Sequence, residues 1–212
     1  MNIPFIHSPL PADVDVERFN IFNLLRKGTA DIHELIEQRV PVFQEGFNLE
    51  QYARLVEQFF GFWAPVEERL SQLTALRDPD LALPSRLKGF LLREDLYILG
   101  RDSATVRHCE NLPALDTFWQ GLGCLYVLEG STLGSQIISR RIEDKLQLRK
   151  ESGAAFFNAY GGLTGSRWIE FKRFVSARVK PENAGEVVEA ARQTVLCFYE
   201  WLGMTSMIVL RP

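Results

Sequence analysis

The sequence has few of the side chains that usually bind a metal ion unaided. It contains three histidines and three cysteines in 212 residues. Its cysteines, Cys109, Cys124 and Cys197, are widely spaced and form no Cys-x-x-Cys pair. A closed zinc site needs three or four ligands, and the Glu-x-x-His pairs of di-iron bundles are also missing. We expect Cys124 and Cys197 to be buried thiols of a reduced, cytoplasmic protein.

Long apolar runs and a basic charge excess are absent as well. No apolar run approaches the roughly 20 residues that a membrane-spanning helix needs. The first residues lack the cationic start and apolar stretch of a signal peptide. The net charge of −3 gives no basic surface for nucleic acid. What the chain has in quantity is apolar side chains, at 46% with 15 phenylalanines, which is typical of a globular protein with a thick core.

Strand-like alternation is missing, and apolar residues recur at steps of three and four along most of the chain. We therefore predict a single all-α domain of about seven to nine helices over residues 18–212, a multi-helical bundle. Residues 1–17 contain three prolines and are predicted to form an irregular N-terminal arm. Asn48 is expected to cap the second helix, and Pro65 to kink or split it. Asn183 with Glu186 is expected to cap the last helix.

The longest predicted helix contains two glycines one turn apart, Gly130 and Gly134, in the segment Leu-Glu-Gly-Ser-Thr-Leu-Gly. A glycine in a helix interior costs about 1 kcal/mol relative to alanine. At a spacing of four residues the two glycines share one face of the helix and leave a bare strip of backbone. Such a strip admits either a neighbouring helix or a flat ligand, and the pattern alone does not decide between them.

His33 directly adjoins the apolar stripe of the first predicted helix, with Glu37 one turn further on. A histidine in this position is more often a hydrogen-bonded core residue than a metal ligand. It is nevertheless suited to be an axial ligand, because Glu37 can orient its second ring nitrogen. One histidine suffices to hold one iron when a macrocycle supplies the other four ligands, as in heme.

Two segments resemble those of the heme oxygenases. Residues 24–37 are similar to the proximal helix of that family, with its axial histidine, and residues 126–136 are similar to its glycine-bearing distal helix. Their order and their separation of about 100 residues also fit the family. The Glu-Gly-Ser-x-Leu-Gly form is closest to the bacterial branch, which includes enzymes that serve bacteriophytochromes.

The resemblance implies an all-α heme oxygenase fold and assigns roles residue by residue. His33 matches the axial ligand of the iron, and Gly130 and Gly134 match the distal glycines. Ser131 stands where many members have an aspartate that orders water for oxygen activation, so the proton relay is left open, with Tyr126 and Thr132 as candidates. The remaining heme contacts are assigned to Arg26, Tyr126, Lys172, Arg173 and Phe198, with Arg178 as a substitute for the basic residues.

The implied reaction cleaves heme, which is both substrate and cofactor, to biliverdin, carbon monoxide and ferrous iron. Electrons would come from an external ferredoxin or reductase, because the chain has no Gly-x-Gly-x-x-Gly fingerprint. A bacteriophytochrome is a candidate recipient of the biliverdin. Three alternatives remain: a non-catalytic heme or tetrapyrrole-binding protein of the same fold, a helical enzyme acting on another small molecule, and a structural protein in which the glycines pack helices together.

Overall fold

The structure is a computed structural model that describes residues 19–208, and it describes only the backbone at positions 33, 34, 37 and 205–208. In this part of the chain six α-helices are joined by 3₁₀ turns, without a strand. The all-α class is thus confirmed, while the expected helix count was too high because short segments such as Phe156–Asn158 form single 3₁₀ turns. The helices are α1 (Ile21–Glu37), α2 (Leu49–Gln72), α3 (Gly89–Ile98), α4 (Phe118–Leu146), α5 (Thr164–Arg178) and α6 (Pro181–Ile208).

The last helix is the central support of the fold, because α1 and α4 both pack against it. Two glycines bring them close. A Cβ atom at Gly123 of α4 would lie 2.3 Å from the Val187 carbonyl oxygen, and one at Gly28 of α1 would lie 2.6 Å from the Val188 side chain. The α1 and α4 helices themselves are not a packed pair. They are therefore joined mainly through α6 rather than packed on each other.

Both α1 and α4 run in the same direction as α6. Along α1, the Gly28 carbonyl accepts a hydrogen bond from Arg192, and further on Arg39 donates one to the Tyr199 carbonyl. Along α4, the cap residue Thr117 bonds Glu186, and seven residues later Cys124 contacts Thr194. Because both helices follow α6 in its own direction, their C-terminal halves lie on the same side of the molecule.

The second helix runs unbroken through Pro65, so the expected split does not occur. A proline at this position leaves the carbonyl of residue 61 without its helical donor. The Gly61 carbonyl instead accepts a hydrogen bond of 2.8 Å from the Cys109 backbone N–H. The loop that carries Cys109 can come this close because Gly61 has no side chain, and a Cβ atom there would lie 2.5 Å from the Arg107 carbonyl oxygen.

One predicted cap is confirmed and the other is wrong. Asn48 forms a reciprocal capping box with Gln51 at the start of α2. The last helix begins earlier than expected, at Pro181, so Asn183 lies inside its first turn and accepts from the Lys180 backbone N–H. The cause is that proline is well suited to the first helical position, where no N–H is needed. Asn183 and Glu186 are therefore not the capping pair.

The irregular arm predicted for residues 1–17 lies outside the described residues, and the domain bounds stay a prediction. Both thiols expected to be buried are buried, and so is Cys109. Burial raises the pKa of Cys124 to about 12 and that of Cys197 to about 11. In the described part of the chain, no helix combines the length and apolarity needed to cross a membrane.

Candidate active site

The first and fourth helices touch along the first half of α1. The Tyr126 phenol lies beside Thr29, whose hydroxyl donates to the Leu25 carbonyl, and the Phe22 ring lies 6.1 Å from that of Tyr126. Thr29 is fully buried, and burial raises the pKa of the Tyr126 phenol. This contact closes the near end of the space between the two helices.

The far end is closed by a second contact. After α1 ends, a 3₁₀ turn at Pro41–Phe43 packs against α4, and Arg141 of α4 reaches the Val42 carbonyl oxygen at 3.5 Å. Between Tyr126 and Arg141 the helix advances about 22 Å, at 1.5 Å per residue. A stretch of α4 about 22 Å long thus lies between the two contacts, and we call the region between this stretch and α1 the cleft.

The backbone positions of residue 33 and of the two predicted glycines lie one turn or more beyond this first contact along their helices. Position 33 is one turn beyond Thr29, and Gly130 is one turn beyond Tyr126. Residues four apart lie on the same face of a helix, so both positions follow the side on which α1 and α4 meet. Because both helices run the same way, both positions lie between the two closing contacts.

The face of α4 along the cleft is apolar and largely uncovered. Gly130, Leu133, Gly134 and Ile137 follow the spacing of a single helix face. Among the described residues nothing lies within 4 Å of a Cβ atom at Gly134, and the only neighbour of one at Gly130 is the Trp168 ring at 3.8 Å. Leu133 and Ile137 are 42% and 61% exposed. The bare strip therefore faces open space.

This finding contradicts the alternative in which Gly130 and Gly134 pack helices together. That role belongs to the two glycines upstream in the same helix. A Cβ atom at Gly121 would lie 2.7 Å from Leu76, and Gly123 is in close contact with α6. The four glycines of α4 thus serve two purposes, with the first pair buried against neighbours and the second pair open.

Three hydroxyls beside the open strip are bonded to the helix itself. Ser131, Thr132 and Ser135 donate to the carbonyls of residues 128, 129 and 131, at 2.7, 2.7 and 2.9 Å. Such bonds compete with the helical ladder and tend to bend a helix. Because its proton is already donated, the Ser131 oxygen is left with acceptor capacity only.

Basic side chains stand at the Tyr126 end of the cleft. The Trp168 ring lies 5.9 Å from both Phe22 and Tyr126, and Lys172 follows Trp168 by one turn of α5. Among the side chains that the structure describes, no carboxylate pairs with Arg26, Lys172 or Arg173. Arg178 differs, because it binds Asp78 at 2.6 Å and stacks on Phe174, so it is already engaged.

Phe198 is not placed on the cleft by any described contact. It is 5% exposed, and its ring packs 5.0–5.2 Å from those of Phe59, Phe62 and Trp63 in the core. In the same cluster, the Trp63 indole nitrogen is buried without a hydrogen-bond partner in the described part of the chain. The predicted contact of Phe198 with a ligand stays a prediction.

The comparisons with known proteins agree with this geometry. The family model described as Heme oxygenase matches residues 19–203, which is most of the chain. The chain belongs to the heme oxygenase family. No curated protein sequence matches it.

Two solved structures have the same fold. One is the NO- and CO-bound heme oxygenase from Neisseria meningitidis, with a TM-score of 0.70 and 19% identity over 88% of this chain and 92% of that one. The other is the heme oxygenase from Leptospira interrogans, with a TM-score of 0.65 and 18% identity over 88% of this chain and all of the other. At these identities the two structures establish the heme oxygenase fold and nothing finer.

The residues on the cleft suit heme. The group is a flat apolar disc with two carboxylates on one edge, and the uncovered backbone strip with Leu133 and Ile137 offers a matching apolar wall. Arg26 and Lys172, at the Tyr126 end, are cations without acidic partners in the described residues. Cations are the groups that pair best with carboxylates. The open glycines carry the most weight in this fit, because no neighbouring helix accounts for them.

Sequence reasoning missed a buried charge cluster directly behind the strip. Glu129, the residue before Gly130, is 1% exposed, and one of its carboxylate oxygens accepts from Arg86 at 2.6 Å. The other accepts from Lys88 at 2.6 Å and from the Tyr160 hydroxyl at 2.8 Å. A signal was available, since this glutamate interrupts a stretch that is apolar nearly all round.

Proposed function

We propose that this member of the heme oxygenase family degrades heme in the cleft between α1 and α4, with His33 as the axial ligand of the iron. The observation that carries the proposal is the bare strip of Gly130 and Gly134, which faces open space between two closed ends. When bound, heme supplies the iron that activates dioxygen and the ring that is opened to biliverdin, carbon monoxide and ferrous iron. A single histidine on the facing helix is the ligand set that such a group needs.

The wall of the cleft formed by α4, which we call the distal wall, depends on two residues without side chains and two apolar ones. Without side chains, Gly130 and Gly134 let the α4 backbone approach the porphyrin face. Leu133 and Ile137 line the same face and exclude water with apolar side chains. No histidine lies near residues 126–136 to act as a distal acid or base. Shape, rather than a titrating side chain, would then select the carbon of the ring that is attacked.

The rotation of the porphyrin within its plane would be set by Arg26, Lys172 and Arg173, which together we call the basic edge. Arg26 from α1 and Lys172 from α5 are suited to pair with the two propionates, with Arg173 beside them. Tyr126 contributes a phenol that lies beside Thr29. Because these three cations lie at the Tyr126 end of the cleft, they favour rotations of the asymmetric ring that bring its propionates to that end.

The proton supply involves Ser131 in place of the usual aspartate. Its hydroxyl donates to Leu128, so its oxygen can accept a hydrogen bond from water but cannot itself provide a proton without rearranging. Thr132 donates to Glu129 in the same way. Water ordered by these oxygens, rather than a side-chain acid, is therefore the proposed immediate proton source.

The electron donor and the cellular setting are also proposals. We expect electrons from a ferredoxin or a reductase, since the sequence has no nucleotide-binding fingerprint. We place the reaction in the cytoplasm and consider a bacteriophytochrome as a recipient of the biliverdin. The resemblance of the Glu-Gly-Ser-x-Leu-Gly segment to the branch that includes enzymes serving bacteriophytochromes supports this recipient.

The test is a heme titration followed by turnover. The chain should bind heme with the spectrum of a histidine-ligated iron, and addition of reductant and oxygen should replace that spectrum with the absorption of a verdin. A complex whose heme spectrum survives reductant and oxygen would instead support the non-catalytic binding protein. Absence of heme binding would overturn the proposal altogether.

Two histidine variants test the axial ligand. His33→Ala should lose the histidine-ligated spectrum and most turnover, and added imidazole should restore both in part. His108→Ala is the matched control, because His108 packs its ring against Phe60, 5.7 Å away, on a different element. Full activity of His33→Ala without imidazole would remove His33 from the site.

A further inference from the structure

The buried cluster behind Gly130 is unusual in both its charge and its connections. Glu129 receives two cations, Arg86 and Lys88, from one loop and a phenol, Tyr160, from another. Side-chain exposure is 1% for Glu129 and Arg86 and 4% for Lys88. A second buried carboxylate, Glu67 of α2, accepts the backbone N–H groups of Lys88 and Gly89. Glu67 belongs to the same loop network but does not touch α4 through these bonds.

The cluster joins α4 to the part of the fold that carries the basic edge. Arg86 also donates to the Leu81 carbonyl at 2.8 Å and approaches the Arg167 carbonyl of α5 at 3.5 Å. Its guanidinium lies 5.4 Å from the Phe171 ring of the same helix. Phe171 directly precedes Lys172 in α5. One carboxylate thus ties the distal helix to both the 81–88 loop and α5.

The segment that follows Glu129 is poorly fixed by its own structure. Glycine is the least constrained residue in a helix, and Gly134 has no described neighbour that would hold it in place. The Ser131, Thr132 and Ser135 hydroxyls bond back to carbonyls of the helix, which favours bending. A segment of this kind needs an external attachment if it is to keep one position.

A buried ion pair is a poor source of stability, because the desolvation of its charges offsets their attraction. The presence of two buried ion pairs on the Glu129 carboxylate therefore points to a role in fixing the position of α4. The ion pairs of Glu129 lie on the covered side of α4, while the adjacent Gly130 faces the cleft.

We propose that Glu129 is a positioning residue that, through Arg86, Lys88 and Tyr160, sets the position of the Gly130–Ser135 backbone over the cleft. The consequence for the reaction rests on the proposed function. With the anchor in place the distal backbone would hold one position against a bound porphyrin and so direct attack to one ring carbon. Without it the segment samples several positions, and the choice of carbon broadens.

The first experiment uses the chain without heme, so its result does not depend on turnover. Amide hydrogen exchange is measured for residues 130–135 in the parent, in Glu129→Gln and in Glu67→Gln. Glu67 is the matched control, a buried carboxylate of the same network on another helix. After correction for global stability, Glu129→Gln should speed exchange in this segment by about tenfold or more, and Glu67→Gln should leave it near the parent rate. Equal rates in the parent and Glu129→Gln would overturn the proposal.

The second experiment uses the heme complex and compares the isomers of biliverdin formed. Glu129→Gln should bind heme yet give a broader mixture of isomers than the parent or Glu67→Gln. An unchanged isomer ratio would show that Glu129 only stabilises the fold. A parent chain that binds no heme would contradict the proposed function while leaving the exchange result intact.

A milder variant covers the case in which Glu129→Gln does not fold. Tyr160→Phe removes one hydrogen bond to Glu129 and keeps both ion pairs. It should speed exchange of the same amides by about fivefold, in line with the loss of a single buried hydrogen bond. If Tyr160→Phe folds and leaves both exchange and isomer ratio unchanged, the anchor is not needed.

Discussion

At the scale of single residues, the glycines of α4 show that one residue type serves opposite purposes a few turns apart. Gly123 is required because another chain segment occupies the place of its side chain, 2.3 Å from where a Cβ atom would lie. Gly134 has no such steric reason, because among the described residues nothing occupies that place, and we propose that it matters for function instead. The same substitution should therefore act in opposite directions at the two positions.

Gly134→Ala should stabilise the chain without heme by about 1 kcal/mol, since alanine restricts the unfolded chain and meets no neighbour in the folded one. The same variant should turn heme over more slowly, because its methyl group enters the cleft. Gly123→Ala should lose about 1–3 kcal/mol through overpacking against α6. Urea unfolding of both variants measures the difference, and a loss of stability in Gly134→Ala would mean that the strip is covered after all.

At the scale of elements, a buried carboxylate connects α3 to the segment that packs on α4. Asp95 of α3 is fully buried, and its oxygens accept the backbone N–H groups of Ala155 and Phe156 at 2.7 and 2.9 Å. Burial raises the pKa of Asp95 to about 6, against the opposing effect of the two N–H groups. In the unfolded chain the same carboxyl would have a pKa of about 3.9.

This difference predicts how stability depends on pH. Between about pH 4 and pH 6 the folded protein holds a proton at Asp95 that the unfolded chain has released, so the unfolding free energy falls as pH rises through this range. The loss amounts to at most about 3 kcal/mol. Asp95→Asn cannot titrate, and relative to this variant the parent should lose stability from pH 4 to pH 6 in urea unfolding. A difference between the two proteins that stays constant with pH would contradict the prediction.

Which elements could be predicted from the sequence depended on whether their cause was local. Periodicity placed the long helices, and the Asn48 cap followed from a side chain bonding its own backbone. The effect of Pro65 was misjudged because the N–H group that replaces its missing donor comes from Cys109, which is distant in sequence. For the same reason the sequence could not identify the partners of Glu129, which lie 41 and 43 residues before it and 31 after it.

In the candidate site, too, features with local causes could be predicted from the sequence and features with distant causes could not. The glycine pair and the neighbourhood of His33 could be found from spacing, and the family resemblance connected them. What spacing could not provide was the second closure of the cleft at Val42 and Arg141, or the exposure of Leu133 and Ile137. Both depend on how α1 and α4 are set on α6, which no local pattern encodes.

At the scale of the whole molecule, two walls of the cleft share one support. They meet each other beside Tyr126, and at the other end α4 meets the 3₁₀ turn that follows α1. The α1 and α4 helices are each fixed to α6, and the cleft between them has no packing of its own in the described residues. A ligand that contacts both walls adds contacts that the protein alone lacks. Binding should therefore stabilise the folded chain, and most of all the two walls.

The expected size of this stabilisation by heme follows from mass action. At a heme concentration about 100 times Kd, binding to the folded state adds about 2.7 kcal/mol. For a chain of this length each kcal/mol raises the unfolding midpoint by about 2–4 °C, so a rise of about 5–10 °C is expected. Differential scanning calorimetry with and without heme measures it, and His33→Ala should show a smaller gain.

Hydrogen exchange tells where the added stability resides. Heme should protect amides of α1 beyond Thr29 and of α4 between Tyr126 and Arg141, because these stretches line the cleft between its closures. Amides of α3 should change only by the amount that global stabilisation requires, since α3 packs on α2 away from both walls. Protection that is uniform over all six helices, or that falls on α2 and α3 first, would place heme elsewhere on the molecule.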